Sequence, residues 1–402
     1  MQQKHFKKNK EGFNCFLSAQ FLSALADNAL FFVAIGLLAT LEAPEWHQPL
    51  LLSVFVIGYI VLAPFVGAYA DSRPKGQVMF LSNGLKLIGC LAMLFGLPPL
   101  YAYAIVGVGA ATYSPAKYGI LTELLPENYL VAANGWVEGL TVAAIILGAI
   151  VGGELLDLKS IGVLNGFDVA ILLVSSLYLL AAIFNRFIPE LPISHSIKRK
   201  NPIFLIKDFT NSFAKLFNDP LGQLSLAITT LFWGAGATLR LVVLAWAGMA
   251  LNFGLEQATK LSAMVAVGVA VGAVIAARYI RMKDSIYILP VGIFMGALVC
   301  SLVFIDQVKT AILVLLLIGI FSGLLIVPLN ALLQHRGHAL IGAGHSIAAQ
   351  NFSENIGILL LSVAYTYMEY LDLAINSIVF IFGFFVVLSM TVATLFYSKH
   401  NR

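Results

Sequence analysis

The sequence predicts an all-α polytopic membrane protein, twelve transmembrane helices in two six-helix bundles, and three observations carry that prediction. Of the 402 residues, 60% are hydrophobic and only 11% charged, with a mean hydropathy of +0.91, whereas about a quarter of a soluble domain is charged. The apolar runs are about twenty residues long, as a helix rising ~1.5 Å per residue needs to cross ~30 Å of hydrocarbon, and they lack the period-two alternation of a β-barrel. A pattern also recurs. Gly109-Ala-Ala-Thr-Tyr-Ser-Pro115-Ala-Lys117 in the first half and Gly323-Leu-Leu-Ile-Val-Pro328-Leu-Asn330 in the second each place a Gly, a Pro and a polar residue two places on inside an apolar run. Matching interruptions in two halves point to a transport site, because a broken helix exposes backbone groups that must line a cavity. Both stretches are therefore expected to be broken.

The spans are expected near 14–41, 50–70, 78–96, 99–121, 131–156, 162–187, 221–250, 258–280, 286–305, 310–333, 341–368 and 373–398. The one long polar segment between the sixth and seventh divides the chain into an N-terminal bundle (1–188), a cytoplasmic linker (189–220) and a C-terminal bundle (221–402). Within the linker, residues 204–217 alternate faces like an amphipathic helix lying on the membrane. The basic start, Lys4 to Lys10, precedes an apolar run too long for a signal peptide and without a small-residue cleavage site, so it reads as an uncleaved first helix. With both termini in the cytoplasm, every Lys and Arg lies on that side except Lys159, Lys260 and Lys309, and Lys86, Lys117 and Arg240 within spans, which satisfies the positive-inside rule.

Several chemistries are excluded. Cys15, Cys90 and Cys300 are odd in number, distant and set among apolar residues, giving neither a disulfide framework nor a zinc site. No histidine has an aspartate five places on, as a glycerolipid acyltransferase requires, and neither a Gly-x-Ser-x-Gly elbow nor a phosphate-binding loop occurs, so the chain is read as no enzyme. His335, His338 and His345 gather near a cytoplasmic loop without evident carboxylate company and are expected to be solvated. No cofactor, metal or nucleic-acid partner is expected.

What remains is charge inside the membrane, at about 2.5–3.5 kcal/mol for each group at mid-bilayer. Asp27, Arg240 and Glu354 lie near the middles of spans one, seven and eleven and have no easy route to the surface. Gln20, Ser23 and Asp27, at spacings of three and four, share one face of the first span, and Asn28 borders it. Gln350, Asn351 and Asn355 surround Glu354. Lys117 follows Pro115 and is flanked by Tyr113 and Tyr118. Glu138, two turns into span five, reads as a site residue or a cytoplasmic gate contact. Lys86, two turns inside its expected span, is predicted to snorkel to the cytoplasmic surface. Phe31, Phe32, Tyr59, Phe232 and Trp233 could line an apolar slot.

The loop after span two, Gly67-Ala-Tyr-Ala-Asp71-Ser-Arg73-Pro-Lys75-Gly76, resembles the signature loop of the major facilitator superfamily, with its basic residues displaced by Pro74. An aspartate in such a turn can cap a helix N-terminus and pair with a nearby cation, which makes Asp71 and Arg73 gating candidates, alongside Glu138 and Tyr113 from the spans. Longer stretches resemble one branch of that superfamily, the bacterial lysophospholipid transporters of the LplT type: Ala19-Gln-Phe-Leu-Ser-Ala-Leu-Ala-Asp27-Asn28, Tyr113-Ser-Pro-Ala-Lys117-Tyr, Leu231-Phe-Trp-Gly-Ala-Gly-Ala-Thr-Leu-Arg240, Val327-Pro-Leu-Asn-Ala-Leu-Leu-Gln334 and Gln350-Asn-Phe-Ser-Glu354-Asn. The resemblance implies a facilitator fold and import of lysophosphatidylethanolamine-type lipids across the inner membrane of a Gram-negative bacterium. It further implies reacylation by a separate cytoplasmic acyltransferase–acyl carrier protein synthetase. Asp27, Lys117, Arg240 and Glu354 then form the charged headgroup and gating set, with Asn28, Gln350 and Asn351 beside them. Cations suit the headgroup phosphate and carboxylates suit an ammonium. The competing reading is a proton-coupled exporter of amphipathic small molecules, with Asp27 or Glu354 carrying the proton.

Overall fold

The structure is a computed structural model that describes residues 2–43, 47–156, 158–160, 164–191 and 201–400. Lys198, Arg199, Lys200 and Arg402, assigned above to the cytoplasmic side, lie outside these. Fourteen α-helices make up the described chain: α1 (Gln2–Thr40), α2 (His47–Val61), α3 (Ala63–Asp71), α4 (Lys75–Leu94), α5 (Pro99–Leu124), α6 (Leu130–Leu156), α7 (Gly166–Arg186), α8 (Pro202–Asn218), α9 (Pro220–Ala250), α10 (Leu255–Tyr279), α11 (Leu289–Ser301), α12 (Val308–Ile341), α13 (Ala343–Tyr370) and α14 (Ile375–His400). Each of the twelve expected spans coincides with a helix or, for the second, with the pair α2 and α3. The remaining helix, α8, is the amphipathic part of the linker. Among the described residues eight helices are long and apolar enough to cross a membrane alone, and α2 with α3 makes a ninth. The short α11 and the polar residues in α5 and α13 keep those three below that mark.

One expectation is overturned. Pro115 and Pro328 lie inside continuous helices. A proline removes one i→i−4 hydrogen bond, but a membrane helix supported by its neighbours tolerates that loss. The break occurs instead in the second span, where α2 and α3 meet at a 63° bend, with Pro64 in the first turn of α3. Pro64 gives up an N–H that a new helix would leave unpaired in any case.

The described chain packs as two compact units, one of residues 1–126, 143–216 and 337–352 and the other of residues 127–142, 217–336 and 353–402. In the first, α4 lies against α5 and α7, α1 against α7, and α2 against α5, around a core that includes Leu30, Val33, Val106, Ile171 and Val174. Amphipathic α8 belongs to this unit through Phe209 and Phe213, whose rings stand edge-on to Phe352 of α13.

In the second unit α11 packs on α14 and α9 on α10 and α14, around Leu239, Trp246, Leu315, Ile318 and Phe382. Here α10 and α12 cross through two small-residue motifs, Gly268-x-x-x-Gly272 and Gly319-x-x-x-Gly323. A Cβ on any of these four glycines would meet the backbone of the other helix. Close backbone approach of this kind gives membrane helices the packing contact that hydrophobicity cannot, lipid tails being as apolar as leucine.

Candidate functional site

The first unit holds a polar cluster deep between its helices, and its centre is Lys86. Lys86 is the twelfth of the twenty residues of α4, roughly 16 Å beyond the helix start at ~1.5 Å per residue, and its side chain is 2% exposed. It does not snorkel. The helix starts three residues earlier than the sequence suggested, which puts the ammonium too deep to reach the surface, and α1 offers it a carboxylate.

Lys86 Nζ donates to Asp27 Oδ2 at 2.7 Å and to Ser23 Oγ at 3.0 Å, and lies 5.0 Å and 5.8 Å from the ring centres of Tyr113 and Tyr178. The Ser23 hydroxyl in turn donates to Asn83 Oδ1 at 2.7 Å. Tyr178 of α7 donates to Asp27 Oδ1 at 2.8 Å. The i, i+4 pair on α1 thus faces the i, i+3 pair Asn83 and Lys86 on α4. Gly109 of α5 makes room for the stem, since a Cβ there would stand 2.7 Å from Lys86 Cγ. Asp27 keeps a fifth of its side chain open. Phe31, Phe55, Tyr59 and Tyr103 form a connected aromatic group in the same unit.

At one end of this unit, where α3 meets α4, Asp71 both caps and pairs. Gly342, at φ 98°, turns the chain from α12 into α13 and aims the first N–H groups of α13 outward. Asp71 accepts from Gly344 N at 2.6 Å and His345 N at 3.0 Å, from Lys75 at 2.8 Å, and lies 2.8 Å from His345 Nδ1. Lys75 also reaches Glu123 at 3.2 Å. Arg73 is exposed and stacks on Tyr69. The inward cation of the loop is therefore Lys75, which the displacement by Pro74 concealed. His345 is buried, contrary to the expectation of a solvated ring: its Nε2 stands 3.2 Å from Asp208 of α8, at ion-pair distance but out of line for a hydrogen bond. His335 lies 3.7 Å from Glu127, and His338 3.3 Å from the Thr122 hydroxyl.

The other sequence candidates are distributed between the units. In the first, Asn351 donates to Ser114 Oγ at 2.9 Å, Asn28 to the Ala24 carbonyl at 2.8 Å, Lys117 stacks on Tyr118, and Gln350 is buried. In the second, Glu354 is buried while Arg240 is exposed. Glu138 accepts from Asn330 at 3.4 Å, and Asn134 and Gln334 exchange two amide hydrogen bonds of 2.9 Å and 2.8 Å. Asp219 caps α9 through Gly222 N and pairs with Arg336. Burial pushes the Asp219 carboxyl up, but the hydrogen bonds from Arg336 and Gly222 and the Arg336 charge outweigh it and hold the group below its ordinary range. The second unit also carries an apolar groove of about 510 Å³ between α6 and α10, with Gly139 and Val274 in its wall and Trp136 and Arg278 at its edge.

The chain matches the family model of the Major Facilitator Superfamily over residues 16–362. It is 45% identical over 347 residues to the lysophospholipid transporter LplT of Yersinia enterocolitica, covering 86% of this chain and 84% of that one. With the LplT of Yersinia pestis it is 44% identical over 352 residues, 87% and 85% of the two chains. Among solved structures it resembles the Escherichia coli fucose:proton symporter FucP at a TM-score of 0.77 and 13% identity, over 96% and 98% of the two chains. It also resembles a bacterial homologue of the iron transporter ferroportin at a TM-score of 0.73 and 17% identity, over 96% and 99%. A helical chain with charges held inside its membrane bundle, matched along most of its length, belongs to the Major Facilitator Superfamily, in the branch that contains these LplT proteins.

Proposed function

We propose that this transporter moves single-tailed phospholipids of the lysophosphatidylethanolamine type from the outer to the inner leaflet of a bacterial inner membrane. The halves 1–188 and 221–402 alternate access, and both termini lie in the cytoplasm. The observation that carries the proposal is Asp27, an open carboxylate fixed inside an apolar bundle by Lys86 and Tyr178. An ammonium headgroup needs such a partner to leave water, because unaided crossing puts its charge into hydrocarbon. The names of the relatives choose the lipid class. Arg240 and Lys117 suit the phosphate, and Glu354, Asn28, Gln350 and Asn351 complete the polar path. Asp71, Arg73, Glu138 and Tyr113 serve gating.

The groove between α6 and α10 supports a single acyl chain. Its 510 Å³ holds about seventeen water-sized groups at ~30 Å³ each, comparable to one fatty chain counted in methylenes. The product then meets a separate cytoplasmic acyltransferase–acyl carrier protein synthetase.

The test loads lysophosphatidylethanolamine or two-tailed phosphatidylethanolamine into the outer leaflet of proteoliposomes and follows arrival inside with a leaflet-selective quencher. The single-tailed lipid should be accelerated and the two-tailed one little. Equal rates for both, or no acceleration over protein-free vesicles, would return the chain to a generic amphipath carrier.

A further inference from the structure

Hydrogen-bond capacity inside the first unit's polar cluster is unevenly filled. An ammonium has three N–H groups and a carboxylate roughly four lone-pair sites. Lys86 places two donors on Asp27 and Ser23, faces two tyrosine rings, and is 2% exposed, so it is closed to a further ligand. Asp27 accepts one hydrogen bond on each oxygen, from Lys86 and from Tyr178, and is 20% exposed. The open member of the pair is the carboxylate, and what it lacks is a donor.

We propose that Lys86 is a positioning residue for headgroup recognition: it fixes Asp27 so that the unfilled lone pairs of the carboxylate stay open and directional, and the N–H groups of a primary ammonium headgroup complete its shell. The inference rests on the lysophospholipid reading above and deepens it. Lys86 touches no substrate. Its effect passes through Asp27, whose orientation also depends on Tyr178 on the opposite oxygen.

A choline headgroup carries the same charge as ethanolamine but no N–H. The ratio of KM values for lysophosphatidylethanolamine and lysophosphatidylcholine therefore isolates directional hydrogen bonding from attraction of charge. Removing Lys86 leaves more net negative charge near the site, which acts on both lipids alike. In proteoliposomes Lys86→Met, which keeps the apolar stem, should raise the KM for the ethanolamine lipid relative to the choline lipid about tenfold, as loss of one charge-assisted hydrogen bond implies. An unchanged ratio overturns the inference, since a lysine that only supports packing would affect both lipids equally. If wild type accelerates neither lipid, the transport reading itself falls, and the inference with it.

Lys86→Met leaves a carboxylate without its cation and could fail to fold. The comparison of Asp27→Asn with Asp27→Asn/Lys86→Met keeps the matter decidable. With no carboxylate to position, loss of Lys86 should leave the ratio where Asp27→Asn has already put it. A further change in the ratio on removing Lys86 would show that the lysine acts on the headgroup by another route.

Discussion

Arg240 has no hydrogen-bond or ion-pair partner among the described residues and is exposed, an arrangement that suits a guanidinium awaiting a planar anion. Arg240→Lys keeps the charge and loses the two-pronged geometry that matches a phosphate. Transport of the single-tailed lipid should fall about tenfold, the equivalent of ~1.4 kcal/mol, and an undiminished rate would reduce Arg240 to a point charge. Individual residues were legible in the sequence wherever helical spacing alone places them: Gln20, Ser23 and Asp27 at three and four apart announced one polar face. Lys86 was not. Its fate depends on which helix lies opposite, and a window of local sequence carries no such information. The signal available was Ser82, Asn83 and Lys86, a second polar face in an apolar run, which needed α1 as its complement. His345 was missed for the same reason, since Asp71 is 274 positions away in the chain.

Helices were more legible than their contacts. Length and hydropathy located every span, but the prolines misled: Pro115 and Pro328 suggested breaks, whereas the 63° bend lies beside Pro64 in the first turn of α3. A proline's cost depends on whether neighbours support the helix around it, which is a property of packing. The crossing of α10 and α12 makes a sharper prediction. Gly268→Leu places a branched side chain against the backbone of α12, and overpacking there should cost about 1–3 kcal/mol or more, seen as a lower melting temperature in detergent. Gly139 is the opposite case. A Cβ there meets nothing within 4 Å, so Gly139→Trp should leave the melt unchanged while it fills the groove beside α10. If that groove receives the acyl chain, the single-tailed lipid will move several-fold more slowly; an unaltered rate would remove the groove from the path.

For the molecule as a whole, composition and span count made a twelve-helix carrier legible, and the facilitator fold was legible only through the resemblance of the loop at residues 67–76 and of the longer stretches. The division into contact units was not, since α6, α12 and α13 each contribute to both units and no sequence boundary marks that. Electrostatics gives the intact protein a pH dependence. Asp219 is held below its ordinary range in the fold, so its contribution to stability is complete above the unfolded carboxylate value of ~3.9. That contribution is lost as pH falls through the lower folded value. The difference in melting temperature between wild type and Asp219→Asn should therefore be constant from pH 8 to about pH 5 and shrink only in stronger acid. A difference that fades near neutrality would assign the effect to another group.

The buried pairing of Asp27 with Lys86 also bears on how the chain is made. Of the eight helices whose length and composition suit a membrane span, α4 has the lowest mean hydropathy, and it carries a lysine at the depth where insertion costs about 2.5–3.5 kcal/mol. Its counter-charge is on α1, synthesised earlier and already in the bilayer when α4 leaves the ribosome. Membrane entry of the third span is therefore expected to depend on the first, which would make the order of the helices part of the assembly. In a glycosylation-mapping assay with translocon-bearing membranes, α4 alone should insert poorly and Lys86→Leu should rescue it. Supplying α1 upstream should rescue the native helix, and Asp27→Leu in that α1 should abolish the help; equal insertion with and without the aspartate would show that the two charges meet only after both helices are in place.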